Sequence, residues 1–175
     1  LSLLKSTLPA DETPVTVEFS SSNAFFSFQS FQLICRIIDE RFPEYENAIP
    51  KENNEILTIN RLEFLSSVKR ISIYSNKTTH QIRLKLTANK LTLSAEDLDY
   101  SNEANEALAC DYAGKDMEIG FNAKLISELL GNLSSKFVDI KLSEPNKAGL
   151  IIPSDQDEAE DILLLVMPVM LNSYN

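Results

Sequence analysis

The residue types that most often carry enzyme chemistry are scarce in this sequence and lie far apart. Its 175 residues include one histidine and two cysteines, too few for a His-rich metal site, a four-cysteine zinc site or a disulfide framework. The histidine, His80, follows the turn-like segment NKTT and has no acidic neighbour placed for proton relay. We therefore predict that His80 is a surface turn residue and that catalysis by these routes does not occur.

An acidic run, DQDEAED at residues 155–161, is the densest cluster of possible metal ligands. It lacks the glycine and the alternating ligand order of an EF-hand loop, so it predicts a solvated loop. The sequence also contains no GxSxG, HExxH, Walker or GxGxxG pattern. We expect no bound metal and no cofactor.

The overall charge limits the partners of the protein. Lys and Arg number 16 against 26 Asp and Glu, a formal charge of -10. This charge repels a phosphate backbone, so any contact with nucleic acid must come from a local basic face. With 43% hydrophobic and 24% charged residues, the composition predicts a soluble globular protein of one large domain or two small ones.

The cysteines and the longest apolar stretch predict a cytoplasmic protein. Cys35 and Cys110 lie in the apolar segments LICRII and ALACDY, which predicts two buried, reduced thiols. The stretch from Ile162 to Leu171 is about half the length of a membrane-spanning helix, and Pro168 interrupts it. Neither a spanning helix nor a signal sequence is expected there.

Short turns divide the sequence into a repeated order of predicted elements. A helical start, LSLLKS, precedes the strands PVTVEF, AFFSFQS and FQLICRII. The strand EILTI, a helix over about 61–74 and three strands follow, and MEIGF, a helix over 123–133 and three more strands complete the chain. The unit is βαβββ, and its first copy, residues 1 to about 40, lacks the leading strand. This order predicts an α+β fold with two helices packed on one face and antiparallel sheets outside.

The two complete copies match at residue level. EILTIN at 55–60 superposes on MEIGFN at 117–122 with a shift of 62 positions, and the match continues along the helices. Each helix follows an asparagine, so Asn60 and Asn122 are predicted N-caps.

Helical periodicity assigns a buried and an exposed face to each helix. At 100° per residue, Phe64, Leu65, Val68, Ile71 and Ser72 face inward and Ser66, Lys69, Arg70 and Ile73 face outward. On the second helix the inward set is Leu125, Ile126, Leu129, Leu130 and Leu133. The first helix thus presents a small basic face in an otherwise acidic protein.

Three motifs resemble those of the bacterial DNA polymerase III beta subunit, the sliding clamp. They are IIDERFPEYENAIP at 37–50, MEIGFNAKLISELL at 117–130 and VMPVML at 166–171. The resemblance covers the whole chain and implies the DNA clamp fold, with residues 1–48 as the C-terminal half of the middle domain and 49–175 as the complete third domain. Because the helical opening begins at Leu1 and not at Met, we expect a fragment of a longer protein.

The family resemblance implies a non-catalytic accessory subunit of the replicative polymerase. Such a subunit forms a homodimeric ring that encircles duplex DNA without reading its sequence and acts as a processivity factor. Helices line the hole, so the DNA-facing candidates are Lys5, Lys69, Arg70 and Lys124. The candidate subunit interface is Ile73, Tyr74, Glu103 and Glu106. Since the first clamp domain is absent, we expect the fragment itself to be monomeric.

The resemblance also implies a hydrophobic pocket that captures linear peptides, such as a Gln-Leu-x-Leu-Phe segment. The partners would be polymerase III subunits, the clamp loader and repair polymerases. The matching positions are Pro43, Ala48, Asn122, Leu125, Ala148, Leu165, Val166, Met167, Pro168, Val169 and Met170. Asn47, Leu125 and Met170 depart from residues common in the family, and the remaining wall would precede Leu1. We therefore expect weak peptide binding by this chain.

Three other interpretations account for parts of the pattern. A non-enzymatic β-rich interaction module without a DNA role would need no basic helix face. A glycosidase-like acid pair would need a deep cleft and a carboxylate of raised pKa. A eukaryotic-type clamp shares the architecture, but its sequence lacks these three motifs in this order.

Overall fold

A computed structural model of the chain describes residues 2–171. The chain divides after Glu44 into two compact units. Within the described residues no helix combines the length and the apolar character that crossing a membrane requires.

The first unit is a short helix followed by three antiparallel strands, as the sequence predicts. The helix α1 covers Ser2–Thr7, and the strands β1 (Thr16–Phe19), β2 (Asn23–Phe28) and β3 (Phe31–Arg36) pair in that order. Ala24 and Phe28 are its buried hydrophobic residues.

The prediction of two buried thiols is wrong. Cys35 is exposed, as are most of the side chains on β3. Cys110 is half-buried, and desolvation raises the pKa of its thiol.

The second unit contains the two complete repeats. A 3-10 helix, Tyr45–Ala48, leads into it. The elements of the first repeat are β4 (Glu55–Asn60), α2 (Arg61–Ser72), β5 (Gln81–Thr87), β6 (Lys90–Asp97), β7 (Asn102–Ala109) and β8 (Asp111–Tyr112). Those of the second repeat are β9 (Met117–Asn122), α3 (Ala123–Gly131), β10 (Phe137–Leu142), β11 (Gly149–Pro153) and β12 (Leu164–Val166).

Each repeat gives its leading strand to the sheet of the other repeat. The five-stranded sheet has the order β12-β11-β10-β4-β8, and the four-stranded sheet has the order β7-β6-β5-β9. Two equivalent backbone bonds join the repeats where each helix begins: Arg61 N donates to Lys136 O at 3.0 Å and Ala123 N donates to His80 O at 2.8 Å. The shift of 62 positions read from the sequence thus corresponds to a structural duplication.

The core lies between the helices and the sheets. α2 packs against α3 and against β5, β6 and β7. Leu57, Phe64, Val68 and Ile119 are fully buried, each with 0% exposure. Burial of such side chains is the main stabilising term of the fold.

Two details of the predicted helix faces are wrong. Leu125 was expected to face inward but is 50% exposed, because α3 contacts the core through Ala123, Ile126 and Leu130, and Leu125 lies beside that stripe. Ser72 is half-buried, whereas Ser67 has 0% exposure. Since α2 contacts both a helix and a sheet, more than one of its sides is covered.

Candidate functional site

Helices α2 and α3, which carry three of the four candidate basic residues, are capped as predicted. Asn60 Oδ1 accepts from the amides of Leu62 and Glu63, both at 3.1 Å. Asn122 Oδ1 accepts from Lys124 N at 2.9 Å and Leu125 N at 3.3 Å. These bonds satisfy amides that the first helical turn leaves without partners, and they fix where each helix starts.

Arg61 ties the beginning of α2 to the end of α3, a role that the sequence reading missed. Its Nε donates to Ser135 O at 2.6 Å and its NH1 donates to Leu130 O at 3.1 Å. A cation in the first turn opposes the helix dipole, which is the sequence signal that this side chain serves another purpose. The start of α2 is thereby held against the end of α3.

The candidate DNA-facing residues differ in how free their charges are. Lys69 and Lys124 are exposed on α2 and α3, and Lys5 is exposed on α1 of the first unit. The side chain of Arg70 is 57% exposed but is bound to Glu106, with NH2 donating at 2.5 Å and Nε at 3.2 Å. This hydrogen-bonded pair lowers the pKa of Glu106 and raises that of Arg70. Of the two candidate basic residues on α2, Arg70 therefore has its charge neutralised by Glu106, and Lys69 keeps a free charge on the exposed face.

The candidate interface residues lie around the same pair. Glu106 and the exposed Glu103 lie on β7, the end strand of the four-stranded sheet. Ile73 and Tyr74, at the end of α2, are 66% and 42% exposed. An edge strand beside exposed apolar side chains is a surface suited to a protein partner.

The C-terminal part of the candidate pocket is built on the edge of the five-stranded sheet. Val166 pairs with Gly149 and Leu165 pairs with Leu150. Ala148, next to this pairing, is buried at 8% exposure, as is Val166 at 3%. β12 therefore holds the start of the C-terminal segment in a fixed position.

The segment after β12, residues 167–171, crosses to the other sheet. Val169 forms an antiparallel bridge with Gly120 of β9, with Val169 N donating to Gly120 O at 2.9 Å. Pro168 and Val169 are half-buried, whereas Met167 and Met170 are 61% and 78% exposed. Met side chains are flexible and polarizable, so an exposed pair can adapt to varied apolar ligands.

The structure brings Asn122 and Leu125 to the same region, because Asn122 lies two residues after Gly120 and α3 packs against β12. Asn122 caps α3 and its Nδ2 also donates to Thr79 O at 3.1 Å. Leu125 adds an exposed apolar side chain on the first turn of α3. Of the two candidates from the interdomain segment, Pro43 belongs to the first unit, and Ala48 is exposed in the 3-10 helix of the second unit.

Asn53 supports the segment that carries Ala148 of the candidate pocket, a role that the sequence does not predict. It is 8% exposed, and its Nδ2 donates to Ala148 O at 2.8 Å and to Lys141 O at 3.0 Å. The sequence gives no signal for this role, because the run KENN is typical of a solvated loop. Asn53 fixes the segment before β4 against the β10–β11 connection.

The other polar features singled out in the sequence lie outside the candidate pocket. His80 was expected to be a surface turn residue; it directly follows the turn at 77–79 but is half-buried, with a φ of 50° and its N–H bonded to Asn76 O at 2.9 Å. Residues 155–161 form a loop, also as predicted. A concavity of about 430 Å³ on the four-stranded sheet and one of about 560 Å³ beside β4 are lined by none of the candidate pocket residues. Across residues 2–171 no group of three His, Cys, Asp or Glu side chains is placed to hold a metal.

Comparison with known proteins identifies a matching family and related sequences. The family model described as DNA polymerase III beta subunit, C-terminal domain, matches residues 46–169. The beta sliding clamp of Vibrio cholerae is 30% identical over 164 residues, which cover 94% of this chain and 44% of the relative. That of Pseudomonas putida is 30% identical over 141 residues, covering 81% and 37%. The chain thus spans less than half the length of these relatives.

Solved structures of similar proteins share the fold. A DNA polymerase sliding clamp from Pseudomonas aeruginosa, solved with a ligand, superposes with a TM-score of 0.88 at 27% identity and covers 96% of this chain and 45% of its own. A sliding clamp from Bartonella birtlesii bound to griselimycin has a TM-score of 0.83 at 31% identity, covering 97% and 44%.

Proposed function

Because the chain belongs to the DNA polymerase III beta subunit family through its C-terminal domain, we propose that it serves as part of a sliding clamp. The clamp is a processivity factor that encircles duplex DNA without sequence specificity and tethers polymerases to it. In this proposal, residues 1–48 are the C-terminal half of the middle domain and residues 49–175 are the third domain. It is a non-catalytic, cytoplasmic protein that needs no cofactor.

The contact with DNA is electrostatic and weak. Lys69 and Lys124 are exposed on the paired helices α2 and α3, and Lys5 is exposed on α1. A few exposed lysines form phosphate contacts that exchange readily, which suits sliding. The charge of -10 over the whole chain keeps DNA from binding to the other surfaces.

A second subunit completes the ring through the edge of the four-stranded sheet. Glu103 on β7 and the exposed Ile73 and Tyr74 form the proposed contact surface. Glu106 contributes through its pair with Arg70. Covering Ile73 would remove from water an apolar side chain that is 66% exposed in this chain.

Partner proteins bind through linear peptides at the C-terminal segment. The observation that carries this part of the proposal is the exposure of three apolar side chains: Met167 and Met170, which lie on either side of the bridged Val169 in the chain, and Leu125, on the helix that follows β9. Exposed apolar side chains on a fixed backbone favour capture of an apolar peptide anchor. The partners are polymerase III subunits, the clamp loader and repair polymerases.

One observation favours the alternative, a non-enzymatic β-rich interaction module without a DNA role. Glu106 neutralises Arg70, so the basic face of α2 keeps only Lys69 of its predicted pair. The two functions are distinguished by whether duplex DNA binds with a salt dependence that is reduced when Lys69 and Lys124 are replaced by Ala.

Peptide binding is tested by fluorescence polarisation with a labelled Gln-Leu-x-Leu-Phe peptide. We expect weak but saturable binding that Met170→Asp abolishes, because a carboxylate would be desolvated by the apolar ligand. Leu98→Asp is the matched control, since Leu98 is 63% exposed and lines the concavity on the four-stranded sheet instead. Equal binding by the wild-type and Met170→Asp proteins would overturn the proposed pocket.

A further inference from the structure

One backbone bridge joins the C-terminal segment, residues 167–171, to β9. β9 is the end strand of the order β7-β6-β5-β9, and the Gly120–Val169 bridge adds one residue to its free edge. The segment therefore depends on the geometry at Gly120 for its position.

Residue 120 must be glycine because a side chain would not fit beside the C-terminal segment, and not because the backbone conformation demands glycine. Among the described residues, no glycine has a positive φ. A Cβ at residue 120 would lie 2.7 Å from Val169 O, 2.8 Å from Leu171 Cδ2 and 3.1 Å from Val169 Cγ2. The first of these is a backbone carbonyl, which cannot rotate away without moving the whole segment. A side chain at position 120 would therefore need the space that Val169 and Leu171 occupy.

The other repeat provides an internal comparison. Thr58 of β4 is the equivalent of Gly120, 62 positions earlier, and pairs with Asp111 of β8. Thr58 nevertheless carries a β-branched side chain, whose Oγ1 bonds to Asp139 Oδ1 at 2.7 Å. A side chain is therefore compatible with this strand position when Leu171 and Val169 do not lie over it.

We propose that Gly120 is a positioning residue for peptide capture: its missing side chain seats Val169 on β9 and so fixes the positions of Met167 and Met170. The inference rests on the proposed peptide-binding function. Gly120 acts through the C-terminal segment and does not itself contact the peptide. Because Met167 and Met170 flank Val169 in the chain, displacement of Val169 displaces both methionines.

The first test is amide hydrogen exchange of the full chain carrying Gly120→Ala. We expect the Val169 amide to lose about tenfold or more of its protection, since its bond to Gly120 O is broken. The Leu165 amide on β12 is expected to keep its protection, and Thr58→Ala is the matched control that leaves Val169 unchanged. Unchanged protection of Val169 in Gly120→Ala would overturn the proposal.

The second test measures the dissociation constant of the labelled peptide with the same variants. Gly120→Ala should weaken binding about tenfold, whereas Thr58→Ala should not. Full peptide affinity despite loss of Val169 protection would contradict the positioning role. If the wild-type chain binds no peptide, the proposed function fails, while the exchange experiment still decides whether Gly120 seats the segment.

A double-mutant cycle covers the case in which Gly120→Ala unfolds the protein. Val169→Gly with Leu171→Gly removes both side-chain contacts and frees the backbone at both positions, so that the Val169 carbonyl can move away from a Cβ at residue 120. Gly120→Ala should therefore cost less stability in that background than in the wild type. Recovery of folding in the combined variant supports the proposal. An equal cost, or failure to fold, in both backgrounds would show that Gly120 is needed for another reason.

Discussion

Arg70 and Glu106 form a two-bond ion pair, with the shorter contact at 2.5 Å. The sequence reading assigned Arg70 to the DNA and Glu106 to a neighbouring subunit. In the structure these two residues bind each other, because α2 packs against the edge strand β7. In the proposed function, the charge that Arg70 can offer to DNA thus depends on an acid of the proposed subunit interface.

Replacing Glu106 by Gln should increase the affinity of the protein for duplex DNA, since the Arg70 guanidinium is released. The slope of log affinity against log salt should steepen by about 0.9 if Arg70 gains one phosphate contact. Fluorescence anisotropy with a labelled duplex at low ionic strength measures both effects. Glu103→Gln removes the same charge from the same strand and should leave the slope unchanged; equal slopes for all three proteins would show that Arg70 does not reach DNA.

Asn53→Ala should destabilise the second unit by about 1–3 kcal/mol, because Lys141 O and Ala148 O would lose a buried donor. Chemical denaturation measures this change. Asn54→Ala is the matched control, as the neighbouring Asn54 is exposed. A similar loss of unfolding free energy in both variants would show that the stability depends on the segment as a whole and not on the Asn53 amide.

Arg61→Ala should lower the free energy of unfolding by about 1.5–3 kcal/mol, because two charged hydrogen bonds are lost, one to Leu130 O in α3 and one to Ser135 O just after it. Arg61→Lys keeps the charge but cannot reproduce both bonds, so it should recover only part of the loss. Lys69→Ala, on the exposed face of the same helix, should stay within about 0.5 kcal/mol of wild type. Complete recovery by lysine would show that charge alone matters.

The Tyr112 hydroxyl should make stability fall at high pH. Burial, followed by the effect of Glu55, raises the pKa of Tyr112 from 10.0 to about 12. The unfolded chain ionises first, so stability is fully present below pH 10 and is lost as pH rises towards 12. Unfolding measured across this range should show a downward slope that is reduced in Tyr112→Phe. An identical slope in that variant would assign the pH dependence to other groups.

Much of the fold follows from local patterns in the sequence. Period-two strands, asparagine caps and the shift of 62 positions identify the repeated unit, since each of these signals lies within a few residues of the element that it specifies. Leu125 shows where such reasoning fails: periodicity places it inward, but the stripe Ala123, Ile126 and Leu130 makes the contact.

The candidate site was predictable only in part. The motifs locate the segments that resemble clamp surfaces, but the Arg70–Glu106 pair joins residues 36 positions apart and Asn53 reaches Ala148 across 95 positions. Such partners depend on how the sheets are arranged, which no local pattern encodes. Cys35 was misassigned for the same reason, because an apolar neighbourhood in sequence does not supply a covering layer in space.

The exchange of β4 and β9 between the repeats has a consequence for how this domain comes apart. Each sheet contains a strand from the opposite half of the chain, so neither half has a complete set of backbone partners by itself. A proteolytic cut between β8 and β9 would leave two interlocked pieces held by twelve paired positions, six between β10 and β4 and six between β5 and β9. We therefore expect the nicked domain to stay associated and to dissociate only when both halves melt together.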